Sequence, residues 1–138
     1  MKLTTKGRYA VMAMADLALY ADDKPISLTE ISLRQKISLS YLEQLFLKLK
    51  DKNLVRSTRG SNGGYVLLKP ASEIRLSNII HAVDETVKTL NCKKESKKGC
   101  NHKTMKCITH NLWDDLEQHI NSFFENIKLE DLVDKSRN

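Results

Sequence analysis

The stretch from Ser27 to Gly64 constrains this chain most. It reads as two short helices, a tight turn and a glycine-tipped hairpin. That is a winged helix-turn-helix, whose default partner is duplex DNA. Ser27 and Glu30 make a capping-box pattern, so a helix can start at Leu28, with Leu28 and Ile31 able to face a core. Gln35-Lys-Ile-Ser38 is too short for anything but a turn, and Ser38 can cap the second helix. In that helix Leu39, Leu42, Leu45, Phe46 and Leu49 recur at helical spacing and are expected to be buried. Ser40, Glu43, Gln44 and Leu47 lie opposite, flanked by Tyr41 and Lys48. Short polar side chains suit a major groove: Ser and Gln exchange hydrogen bonds with base edges, and Glu accepts from a cytosine amino group. Taken alone, the same face fits any solvated amphipathic helix.

The hairpin makes the pattern more specific. Leu54-Val55 and Tyr65-Val-Leu-Leu68 are β-prone runs, and Pro70 ends the second. Between them lies Arg56-Ser-Thr-Arg-Gly-Ser-Asn-Gly-Gly64, where three glycines permit positive φ and a narrow tip. Arg56 and Arg59 charge that arm, and Gly60 lets it turn, as insertion into a minor groove requires. A plain surface hairpin needs the glycines as well. A phosphate loop does not fit, because Gly60-Ser-Asn-Gly-Gly has no P-loop spacing and no following Lys-Ser/Thr pair.

Length and charge set outer bounds. A chain of 138 residues is one domain or one domain with an extension. Its net charge of +6 suits a polyanion without proving one. No apolar run reaches the ~18 residues of a membrane span. Met1-Lys-Leu-Thr-Thr-Lys6 does not read as a signal peptide, so a cytoplasmic protein is expected. No nucleophile–base constellation and no GxSxG or HExxH pattern supports catalysis, so no enzyme is expected.

The remaining elements follow in order. Thr5 to Tyr20 is apolar over most of its circumference, which predicts a central buried helix, with Lys6 and Arg8 near its start in reach of phosphates or merely solvated. After the wing, Ser77 is expected to cap a short helix with Leu76, Ile80, Val83 and Val87 on one face. From about Thr109 a long helix carries Trp113, Leu116, Ile120, Phe123 or Phe124 and Ile127 at three-four spacing, widened by Leu112. That stripe could fold onto its own subunit or meet its twin. Pairing is favoured, because two-fold DNA readers dimerise in this way. Leu129 to Val133 reads as one short turn before a polar tail. The fold class is mainly α with a small β-hairpin wing. It divides into a winged helix-turn-helix at 1–88, a cluster-binding loop at 89–108, and a dimerisation helix with its tail at 109–138.

Cys92, Cys100, Cys107 and His110 are the sharpest chemical signal, in the pattern C-x7-C-x6-C-x2-H. Three cysteines are an odd count for a disulfide framework, and they point to a thiolate site. Cys107 and His110 stand three apart at a helix start and can point the same way. The surrounding lysines, among them Lys93, Lys94, Lys97 and Lys98, favour thiolates and offset their charge. Cys3His is a zinc set, but structural zinc prefers a short C-x2–4-C knuckle, while long gaps suit ligands divided between two irons. Spacing alone leaves zinc and iron–sulfur equal. His102 competes with His110 as a ligand, and His81 and His119 read as ordinary helix residues.

These residues carry a family likeness. The start Leu3-Thr-Thr-Lys-Gly-Arg-Tyr-Ala-Val11, the run Ile37 to Phe46, the wing Arg59 to Tyr65, the segment Ala82-Val-Asp-Glu85 and the Cys–His set resemble the IscR family of bacterial iron–sulfur cluster regulators. The resemblance covers nearly the whole chain. It implies a dimeric winged-helix transcription factor, expected to be a repressor, that regulates iron–sulfur cluster assembly genes. It implies one [2Fe–2S] cluster per subunit on Cys92, Cys100, Cys107 and His110, with a cluster-assembly scaffold as candidate donor. It implies a palindromic promoter site read by Ser38, Ser40, Tyr41, Glu43, Gln44 and Arg59. The expected family spacing is C-x5-C-x5-C-x2-H, so this loop is longer by two and by one. A related nitric-oxide sensor shares the three cysteines and is expected to use an acidic first-helix ligand. The matching position here is Arg8, which ranks that reading lower. The same residues also fit a zinc-stabilised winged-helix regulator, or a redox or cluster-carrier protein.

Overall fold

The computed structural model describes residues 5–20, 24–83 and 108–137. Helix α1 (Thr5–Tyr20) lies at the centre, and α2 (Leu28–Gln35) and α3 (Leu39–Asp51) form the helix-turn-helix against it. Strands β1 (Val55–Thr58) and β2 (Gly64–Leu67) make the wing, followed by a 3-10 turn (Ala71–Glu73) and α4 (Leu76–Ala82). After residues 84–107, α5 (His110–Asn126) and α6 (Leu129–Arg137) complete the described chain.

Local chemistry explains the helix boundaries. Ser27 Oγ accepts from the Glu30 N–H at 3.2 Å and starts α2. Lys36 then adopts the left-handed conformation at φ 57°, and Ser32 Oγ donates to the Ile37 carbonyl at 2.6 Å, closing the turn. Ser38 Oγ accepts from the Tyr41 N–H and starts α3. That helix ends in a Schellman arrangement: Asn53 sits at φ 62°, its N–H reaches the Lys50 carbonyl, and the Leu54 N–H reaches the Leu49 carbonyl.

One apolar core joins these elements. Ala13, Met14 and Leu17 of α1 meet Ile31 of α2, Leu42 and Phe46 of α3, Ile79 of α4 and Leu129 of α6. Full burial of each large aliphatic or aromatic side chain contributes roughly 1.5–3 kcal/mol. Helix α1 is not buried all round as its composition predicts. Gly7, Ala10, Ala13, Met14 and Leu17 form the inner face, while Met12 and Tyr20 are exposed. The small Ala15 and Ala18 on its other sides are only half-buried among the described residues.

Three further expectations need correction. Leu39 is exposed, since it is the first residue of α3 and its side chain tilts off the helix end rather than into the core. Ser77 lies buried inside α4 rather than capping it; the Asn78 side chain instead accepts from the Arg75 N–H at 3.0 Å. The helical turn expected at Leu129 to Val133 does not stop there: it runs on through polar residues to Arg137 as α6, whose Leu129 and Val133 are buried as it lies against α1. The Leu129 N–H donates to the Ile74 carbonyl at 2.8 Å, and the Leu76 N–H to Ile127 at 3.0 Å, which ties the end of α5 to the start of α4.

Helix α5 carries two apolar lines. Glu117, Ile120 and Phe124 run along the inner side, with Glu117 only 6% exposed, while Trp113 at the head of that line is 39% exposed. Leu112, Leu116 and Phe123 form an outer line, exposed to 58%, 38% and 60%. No helix among the described residues is long and apolar enough to cross a membrane.

Candidate nucleic-acid interface

Capping by Ser38 sets the start of α3, and the burial of Leu42, Leu45, Phe46 and Leu49 sets its rotation. The opposite face is therefore fixed outward: Ser40, Glu43, Gln44 and Leu47 are all exposed, with Tyr41 and Lys48 half-buried at the edges. Ser38 Oγ and Ser40 Oγ lie 3.0 Å apart at the exposed head of the helix. Tyr41 meets Tyr9 of α1 edge-on, with ring centroids 5.8 Å apart. Tyr9 and Lys36 line one open cleft with Ser38, Ser40, Tyr41 and Gln44. Sequence reasoning missed Tyr9 and Lys36 as part of this surface. The docking of α1 on α3 brings Tyr9 there, of which helical spacing carries no sign, while Lys36 arrives through the turn just before Ser38.

The wing is positioned from two sides. Phe46 of α3 contacts the Tyr65 ring at 4.8 Å between centroids. Ile26 and Tyr65 exchange backbone hydrogen bonds of 3.0 and 2.8 Å, adding a third strand contact beside β2. Among the three glycines only Gly60 uses positive φ, at 114°. Gly64 is needed for a different reason: a Cβ there would stand 2.5 Å from the Ile26 backbone. Arg59 and Gly60 occupy the exposed tip. Arg56 does not; it sits within β1 opposite Val66, because the strands extend further toward the turn than the β-prone runs indicate. It is nevertheless exposed.

Between α1 and α2 lies an ion pair that sequence reading missed. Asp16, 2% exposed in α1, accepts from Arg34 Nε at 2.9 Å and Nη2 at 2.7 Å, and from Gln35 Nε2 at 2.8 Å. Those hydrogen bonds are the main reason that the Arg34 guanidinium is raised above its ordinary value, against a lowering by burial. The Arg34 guanidinium also stacks 4.2 Å from the Tyr20 ring centroid. All three donated hydrogen bonds come from α2 and end on one carboxylate of α1, so the node fixes the angle of the first helix of the motif.

Of the expected metal ligands, Cys92, Cys100 and Cys107 lie outside the described residues, as does His102. His110 is half-buried as the first residue of α5. Among the described residues no three His, Cys, Asp or Glu side chains come together as a metal group.

Residues 3–135 match the model of a family of iron-dependent transcriptional regulators, Rrf2. The chain belongs to the Rrf2 family. It is 53% identical over 133 residues to the transcriptional regulator IscR of Yersinia pseudotuberculosis, covering 96% of this chain and 79% of that one. The IscR of Serratia proteamaculans is 52% identical over the same share of each chain. Among solved structures, the global cysteine regulator CymR of B. subtilis superposes with a TM-score of 0.82 at 29% identity, covering 98% of both chains. T. potens IscR does so with a TM-score of 0.77 at 32% identity, covering 99% of this chain and 88% of that one. As an Rrf2 member with this fold, the chain is a DNA-binding transcriptional regulator with a winged helix-turn-helix.

Proposed function

We propose that this Rrf2 protein acts as a homodimer that represses iron–sulfur cluster assembly genes and senses cluster status through a [2Fe–2S] centre, one per subunit. Ser38, Ser40, Tyr41, Glu43 and Gln44 would meet base edges and phosphates in the major groove of a palindromic promoter site. Arg59 and Gly60 at the wing tip would enter the minor groove, with Arg56 on the flanking phosphates. The exposure of Ser38, Ser40, Glu43 and Gln44 on α3 and of Arg56, Arg59 and Gly60 on the wing, with Tyr41 half-buried at the edge, supports this reading.

Cys92, Cys100, Cys107 and His110 would hold the cluster. The donor set fits: three thiolates and an imidazole can divide between two irons, and the match to a family of iron-dependent regulators favours iron over the zinc that spacing alone leaves equal. A bound cluster would supply a cross-link whose presence follows the supply of iron and sulfide. The main support is that His110, last of the four donors, is also the first residue of the helix bearing the exposed line Leu112, Leu116 and Phe123. Donor and apolar face share one rigid element. Helix α5 lies on α4, and α4 on α1 and α3, so a shift at His110 has a contiguous route to the recognition helix. A cluster-assembly scaffold is the proposed source of the cluster.

The test is iron and sulfide quantification on protein purified without air, paired with operator binding before and after cluster removal. The expected result is two irons and two sulfides per subunit with a changed affinity or site choice on removal. Stoichiometric zinc without sulfide, or identical binding in both states, would reject the sensing role and leave the DNA-binding role intact.

A further inference from the structure

An exposed leucine is ordinary on a protein surface. Leu47 differs by its register. It is 64% exposed and lies three and four residues after Gln44 and Glu43, so it continues the line Ser40, Glu43, Gln44 by one turn. From position 40 to 47 an α-helix rises about 10.5 Å at 1.5 Å per residue, which fits within a major groove about 12 Å wide. A helix laid in that groove on its polar face carries Leu47 in with it. A leucine cannot hydrogen-bond a base edge, and burying it against a polar edge strips that edge of water without return. The one apolar group that a major groove offers is the C5-methyl of thymine.

We infer that Leu47 is a specificity-determining residue that reads a thymine methyl group in each half-site, next to the bases met by Glu43 and Gln44. The inference rests on the proposed docking of α3 in the major groove. It adds an apolar element to a recognition face otherwise built from hydrogen-bonding groups. A pyrimidine lacking the methyl, or a cytosine, at that position leaves the side chain against a polar edge.

Deoxyuridine isolates the methyl group, because it pairs as thymine does and differs from it only there. An operator obtained by binding-site selection with the full-length protein would be remade with deoxyuridine at each thymine position in turn, in both half-sites. Wild-type protein should lose about fourfold in affinity per half-site at one symmetric position, the ratio for one methyl withdrawn from contact. Leu47→Met should keep that loss, and Leu47→Ser should bind the thymine and deoxyuridine operators equally. The position is exposed, so neither variant should disturb folding. Wild-type indifference to deoxyuridine at every thymine overturns the inference, as does a loss that persists in Leu47→Ser. Failure of the underlying reading looks different: Glu43→Ala and Gln44→Ala would then leave affinity and selectivity for the same operator unchanged.

Discussion

At the scale of single residues, the recognition face combines attraction with exclusion. Glu43 stands exposed among groups that would approach a polyanion. In the proposed groove contact its carboxylate would repel phosphates and favour sites that offer it a cytosine amino group, so it would narrow the set of acceptable sequences. Glu43→Ala should therefore broaden the sequences recovered in a binding-site selection; an unchanged consensus would remove this role. Arg59 acts in the opposite sense. It sits at the wing tip beside Gly60, whose φ of 114° shapes the turn. Arg59→Ala should weaken binding and lower the salt slope by about one, as expected for one phosphate-region cation lost. Titration across salt concentrations separates the two variants, since Glu43→Ala changes selectivity and Arg59→Ala changes the slope.

At the scale of elements, α2 is held to α1 by a buried polar node in addition to hydrophobic contact. The Asp16 side chain is fully buried, while that of Arg34 keeps 31% of its surface exposed. The two partners should therefore respond unequally to loss. Arg34→Met strands a buried carboxylate that keeps its hydrogen bond from Gln35, and should cost about 3 kcal/mol. Asp16→Asn leaves Arg34 able to turn toward water and should cost less. Urea unfolding of both variants, with Asp16→Leu and the double variant Asp16→Leu/Arg34→Met closing the cycle on Arg34→Met, measures the coupling. A double variant no more stable than Arg34→Met alone would show that the stranded carboxylate was not the source of the loss. The Arg34 value is raised, so the stability linked to its protonation is present at physiological pH and is lost as pH climbs through the folded-state value, above the ordinary one for arginine.

At the scale of the whole molecule, the central question is what covers the outer line of α5. Leu112, Leu116 and Phe123 expose apolar surface on one helix face, and a face of this kind fits the proposed interaction site. In a two-fold dimer the same patch meets itself, which places two recognition helices on one palindrome. Replacing Leu116 and Phe123 together with Asp should convert the protein to monomers in sedimentation. It should also weaken binding to the full palindrome far more than to an isolated half-site. A double variant that remains dimeric would assign the interface to another surface.

The sequence by itself determined most of the motif and its outward chemistry. Helical spacing in α3 is a local property: once Leu42, Phe46 and Leu49 face inward, Ser40, Glu43 and Gln44 must face out. Caps at Ser27 and Ser38 are equally local, because each is satisfied within one turn of its own helix. Tertiary structure alone decided what depends on distant neighbours. Asp16 and Arg34 are eighteen residues apart, and neither periodicity nor composition links them. Gly64 is required by the backbone of Ile26, nearly forty residues earlier in the chain. Leu129 enters the core only because residues 127–129 pair with 74–76. Local signals report the side on which an element is apolar; which other element comes to lie there is settled by packing across the chain, where contacts have no fixed spacing to read.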